Sequence, residues 1–228
     1  MKKIIASTLL LFAITVSAST VDLGGAKINL PAPEGYIEAS PKMEKVWPLV
    51  EAAQGDNHVL AFFIPREEEA AALGGEIPNL DRNINIQTRR KFEGRSIDAA
   101  TFELVKVQMR KLIASRQVND LQAKEIERFN GNLKNKTSLD INMQQTDNIS
   151  LPPHINTADE FGYSEISTIK GSLPDGTNST MQTTATAVAL LIKGKILYCN
   201  VAGGANDLDW TRKTASRLAA EIRQANLK

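Results

Sequence analysis

The plainest pattern lies in the last third of the chain. From Met181 to Ile192, residues alternate between two sets. Met181, Thr183, Ala185, Ala187, Ala189 and Leu191 form one face, and Gln182, Thr184, Thr186, Val188, Leu190 and Ile192 the other. A period of two predicts a strand. The small residues on the first face admit a closely packed helix, and the branched ones on the second fill a core. Lys193-Gly194 predicts a tight turn, with Lys195 to Ala202 as the antiparallel partner. Tyr163 to Ile169 predicts another strand, followed by the turn sequence Leu173-Pro174-Asp175-Gly176. Beyond Gly203-Gly204, Asp207 or Asp209 is placed to cap a terminal helix from Trp210 to Asn226, with Ala215, Leu218, Ala219 and Ile222 on one side.

The period changes in the middle of the chain. Phe102, Val105, Met109 and Leu112 recur at steps of three and four, which predicts a helix from Ile97 to about Phe129 beginning at Ser96. Leu104 and Val107 widen its apolar stripe. Val118, Leu121, Ile126 and Phe129 are less regular, so a bend is expected near Asn119-Asp120. A stripe of this width faces a core or, in the other reading, a partner. Residues 130–160 are rich in Asn, Thr, Ser, Asp and Pro and predict loops around one short strand, Leu139 to Gln144.

The first third predicts short elements. Val21 to Leu23 and Ala26 to Leu30 flank Gly24-Gly25 as a hairpin. Ser40-Pro41 reads as a helix start, with Met43, Val46, Trp47 and Val50 inward and Pro48 splitting the helix. His58 to Ile64 is a compact apolar strand stopped by Pro65. Glu67, Glu68 and Glu69 open a short helix at its positive end, and Gly74-Gly75 close it. Asn83 to Lys91 predicts a further strand. Strands and hairpins, then helices, then strands and a last helix do not alternate regularly. The expected fold class is therefore α+β: a mainly antiparallel sheet packed against helices, with a long central helix and a C-terminal helix.

The N-terminus alters the picture of destination. Met1-Lys2-Lys3 precedes an apolar run from Ile4 to Val16, then Ser17 and Ala18. A basic start, a short apolar run and small residues at −3 and −1 predict a signal peptide over residues 1–18, with a single domain over 19–228. The run is short of the roughly 20 residues that span a bilayer. The expected location is periplasmic or secreted, with no membrane anchor after cleavage. Cys199 is the one cysteine in the chain, which leaves it no intramolecular partner, and a strand interior predicts a buried thiol. The whole chain carries a net charge of +1. Such a balance lacks the field a nucleic-acid partner needs. The run Arg89-Arg90-Lys91 reads as a solvated strand end or loop.

The sequence offers little catalytic chemistry. Its two histidines, His58 and His154, have no companion at ligand or triad spacing. No Gly-x-Ser-x-Gly or phosphate-binding glycine motif occurs, and Gly203-Gly204 is only a weak anion candidate. Asp56 and Asp175 fall in turns. No catalytic, metal or cofactor residue is assigned, and no cofactor is expected.

The segment TTATAVALLIKGKILYCNV over 183–201, followed by DLDWTRKTASRLAAEIRQAN, resembles the end of PsbP-like and DcrB-like extracytoplasmic proteins. The stretch AKINLPAPEG over 26–35 is similar to their opening. This resemblance implies a one-sheet α/β sandwich and a non-enzymatic accessory role in the cell envelope, and no functional residue carries over. Three functions are compatible with these features. They are an exported binding or accessory protein, a hydrolase assembled from distant carboxylates such as Glu165, Asp207 or Asp209, and an inhibitor or effector acting on a protein.

Overall fold

The structure is a computed structural model that describes residues 18–115, 117–136, 142–172 and 177–227. Strands β1 (Ala18–Leu23) and β2 (Ala26–Pro31) pair as an antiparallel hairpin, with Gly24 and Gly25 at positive φ in its turn. There follow β3 (Tyr36–Glu38), α1 (Trp47–Ala53), β4 (Asn57–Pro65), α2 (Glu69–Leu73), β5 (Asn83–Arg89) and α3 (Arg90–Glu93). The middle holds α4 (Ala99–Ala114) and α5 (Gln117–Lys136), then β6 (Asn142–Ser150) and β7 (Ile155–Asn156). The chain ends with β8 (Glu160–Ser172), β9 (Asn178–Ile192), β10 (Lys195–Gly204) and α6 (Leu208–Ala225).

The large sheet has the order β3-β4-β5-β10-β9-β8-β6, with β7 also paired to β8. Every adjacent pair in it is antiparallel. The fold is thus α+β around an antiparallel sheet, as the residue patterns require. Its turn between β9 and β10 puts Lys193 at φ 48° and Gly194 at φ 72°. Two successive positive φ angles match the right-handed twist of the strands they join.

The two faces of the sheet are built differently. On the outer face Ile84, Ile86, Val188, Leu190, Ile192, Leu197 and Val201 pack against Ala215, Leu218, Ala219 and Ile222 of α6. Leu23, Ile28 and Leu30 bring the hairpin onto the same core. A chain of hydroxyls pins α6 beneath this layer. Ser164 Oγ lies 2.9 Å from Thr186 Oγ1, which lies 2.9 Å from Thr211 Oγ1. Arg212 Nε donates to Ser164 Oγ. On the inner face, Ile97 and Phe102 cover Phe161, Ala189 and Ile196, and Val46 and Val50 cover Val59.

Several local expectations shift. The helix expected at Ser40 begins at Trp47, because Pro48 fits only the first turn, where no amide donor is needed. Met43 and Val46 are buried all the same, in the turns before it. The central helix starts after Asp98, whose carboxylate accepts from Thr101 N at 2.8 Å, rather than at Ser96. It divides at Ser115, which is extended (φ −107°, ψ 149°), earlier than the expected bend near Asn119-Asp120. Its stripe is narrower than read. Leu104 is 67% exposed and Val107 38%, while Lys106 is only 2% exposed. Lys106 is buried because its Nζ reaches Thr157 O and Glu103 and lies 5.5 Å above the Phe102 ring. Of the strand expected at Leu139 to Gln144, residues 139–141 lie outside the described residues, and the rest falls in β6, which runs on to Ser150. The signal segment up to Ser17 and the turn Leu173 to Gly176 lie outside the described residues.

Candidate functional site

Directly opposed residues of an antiparallel pair point to the same side. Register therefore places Tyr163 and Glu165 of β8, Ala187 and Ala185 of β9, Tyr198 and Asn200 of β10, and Gln87 and Asn85 of β5 on the inner face. Away from Phe161 and Ile196 this face carries amides, methyl groups, phenols and one acid, where the outer face carries mainly Ile, Leu and Val with its hydroxyls paired to one another. Most of these side chains are half-buried. Helices α4, α5 and α1 stand around the surface without sealing it as α6 seals the other side. The small residues that admit a helix thus meet α4 only toward Ala189, and the helix that packs most closely, α6, takes the branched face instead.

At one end lies Glu165, buried beneath α5. Gln122 Nε2 donates to one carboxylate oxygen and Ser150 Oγ to the other at 3.2 Å. Gln145 Nε2 donates to Gln122 Oε1 at 2.8 Å. Ser167 Oγ donates to Asn148 Oδ1, and Asn148 Nδ2 to Asn119 Oδ1 at 3.3 Å. Burial raises the Glu165 pKa above its ordinary value, against the lowering effect of these donors. Its hydrogen-bond donors, Gln122 and Ser150, are neutral groups. Beside it, Ile113, Ser115, Asn119, Asp147, Asn148 and Ser150 line a cleft of about 450 Å³ where α4 gives way to α5. That volume falls within the range of small-ligand sites.

At the other end stand Tyr163 and Tyr198. Their rings join the core beneath α4, and burial raises both phenol pKa values. Arg89 acts in the opposite direction on both. Between the two ends, Asn200 Nδ2 donates to Asn85 Oδ1 at 2.9 Å.

The residues singled out in the sequence fall in separate places. Glu165 is on the inner face. Asp207 sits before α6, which packs on the outer face, and binds Arg82 through two oxygens and Gly204 N through one. Asp209 is exposed in the first turn of α6. The structure does not converge these three carboxylates. His58 Nδ1 meets Glu93 Oε1 at 3.1 Å, and His154 is exposed before β7. Glu67 and Glu68 form a 3-10 turn ahead of α2, and Glu68 accepts from Asn79 N. Gly203 and Gly204 end β10 in register with Thr184 and Thr183. Asp56 is exposed in a turn, and Asp175 lies outside the described residues. Among the described residues no three His, Cys, Asp or Glu side chains gather as a metal site. Nor is any of their helices long and apolar enough to cross a membrane. Sequence reasoning missed Tyr163, Tyr198, Asn85, Asn200 and Gln122 as neighbours, and it set Arg89 aside as a strand end. The alternation of β9 was the available signal, since a face of alanines facing amides is not a core.

No protein-family model and no curated protein matches the chain. Among solved structures, it is similar to the cyanobacterial PsbP (CyanoP) of Synechocystis sp., at 13% identity over 90% of this chain and 91% of that one, with a TM-score of 0.36. It is also similar to the Ran-binding protein Mog1p of Saccharomyces cerevisiae, at 11% identity over 92% and 91%, with a TM-score of 0.34. The first supports a weak resemblance to the PsbP-like fold. No residue role carries over from either.

Proposed function

We propose that the protein is an exported, non-enzymatic binding or accessory protein of the bacterial cell envelope, and that the inner face of its sheet is the recognition surface. The carrying observation is the difference between the two faces. The outer face is apolar and sealed, whereas the inner face exposes amides, phenols and a cleft along half-buried strands. Polar groups held half-buried cost stability unless something pairs with them, and a bound ligand does so. The pattern Met1 to Ala18 supports export.

The test places a photo-cross-linking residue at Asn119 or Asn200, with Lys213 on α6 as control, in cells expressing the full chain. The inner-face positions are expected to trap one small molecule or one partner, and Lys213 none. Equal labelling at all three would overturn the reading. Export is checked on the same preparation, by an intact mass that begins at Ser19 in the envelope fraction.

The second reading is an effector that grips a protein. It is favoured by Leu104 and Val107, exposed together on the outer side of α4. Leu104→Lys combined with Val107→Lys would abolish that partner and leave inner-face trapping intact.

A further inference from the structure

We propose that the cleft where α4 gives way to α5 binds a neutral polyhydroxylated ligand of monosaccharide size. The site deepens the binding reading above and rests on it. Its wall comes from two sources. The end of α4 and the start of α5 supply Ile113, Ser115 and Asn119, and β6 supplies Asp147, Asn148 and Ser150. Strand β6 is bulged between Gln145 and Asp147. The extra residue changes the parity of the strand. Gln145, Asn148 and Ser150 therefore all meet inner-face partners, although the step between the first two is odd. Without the bulge, Asn148 and Ser150 would turn to the opposite face from Gln145.

Hydrogen bonds inside the wall decide what a ligand must bring. Ser150 Oγ gives its proton to Glu165, and Ser115 Oγ gives its own to Leu112 O, so both hydroxyl oxygens are left as acceptors. Asn148 donates to Asn119 Oδ1 and accepts from Ser167, which leaves Asn119 Nδ2 as a donor with no partner among the described residues. Asp147 is exposed to the cleft and makes neither an ion pair nor a hydrogen bond with any described residue. An ionised carboxylate only accepts. The wall thus offers acceptors beside an amide donor. Adjacent hydroxyls on a ring answer both, since two can donate to the Asp147 oxygens while a third oxygen accepts from Asn119. An ammonium ion donates but accepts nothing, and a carboxylate ligand only accepts and meets Asp147 with like charge. Ile113 adds an apolar wall for ring C–H groups. A volume of about 450 Å³ is toward the low end for small-ligand sites, which suits one ring rather than an extended chain.

The probes are D-glucose, D-galactose, D-mannose and N-acetyl-D-glucosamine, each titrated singly into the full-length chain and followed by the side-chain amide resonances of its asparagines. At least one sugar is expected to shift Asn119 and Asn148 saturably and to leave Asn85 and Asn200 unmoved. Asp147→Asn keeps the shape of an exposed side chain that has no described partner, so the fold is spared. It should weaken the bound sugar by about tenfold or more, the range of a hydrogen bond to a charged group. Asn119→Asp replaces the amide donor with an acceptor and should weaken it several-fold. Asp209→Asn removes the same charge from the exposed first turn of α6, on the other side of the sheet, and should leave binding unchanged. Saturation by none of these sugars sinks the proposal. So does unaltered binding by Asp147→Asn, an equal loss in Asp209→Asn, or tighter binding of methylammonium than of any sugar. If no sugar saturates while Asn119 still cross-links selectively, the sugar site falls and the broader reading stands.

Discussion

Single residues already separate the two sides of the sheet. Cys199 is fully enclosed on the outer side, and burial pushes its thiol up to about 12. The native protein should therefore resist alkylation at about pH 8 and react only when unfolded, as measured by mass after iodoacetamide with and without urea. Glu165 makes the opposite experiment possible. Its raised pKa means that the folded state prefers the protonated form. Its contribution to stability is then complete below the unfolded-chain pKa and lost as pH climbs through the raised one. Urea midpoints of the native chain and of Glu165→Gln, taken from about pH 4 to about pH 7, should show the native chain losing ground to the variant as pH increases. A constant difference across that range would mean that the carboxyl titrates as it does in water.

At the level of elements, Asn130 of α5 bears an unusual duty. Its amide donates to Met143 O at 2.7 Å and accepts from Met143 N at 3.2 Å, so it pairs with the backbone of β6, an edge strand. An open edge invites pairing with other chains, and a side chain that imitates a strand blocks it. Asn130→Ala should cost about 1–2 kcal/mol by chemical denaturation and raise self-association in light scattering. No feature of the linear sequence announced this contact, because residues 130 and 143 meet only once α5 has folded back along β6. The same limit governs much of what could be read. The β9–β10 hairpin, the apolar strand β4 and α6 were legible because each carries its own period and its own stop signal. The start of α1 was displaced because Pro48 outranked Ser40-Pro41 as a helix opening, and the break at Ser115 has no proline or glycine to mark it. The burial of Lys106 was hidden for another reason: its partner, the carbonyl of Thr157, belongs to a loop far along the chain. On the inner face, Glu165 was noticed as a carboxylate and Arg89 as a charge, but their setting depends on strand order, which alternation does not reveal.

At the scale of the molecule, α6 is the element that closes the fold. It covers the central strands, and Asn226 near its end exchanges hydrogen bonds with Asn29 of the first hairpin. Leu218→Ala should cost about 2–5 kcal/mol, read as a lowered melting temperature with a single transition. The sheet order has a temporal counterpart. Its middle positions belong to β9 and β10, which leave the ribosome after every element except α6. Until they arrive, β4–β5 and β6–β8 are fragments with no neighbour to join them, and loop-closure entropy keeps such distant partners apart. The growing polypeptide therefore cannot lock into shape while it is being made. The large sheet is thus among the last things the chain completes, closed by the strands made just before its final helix.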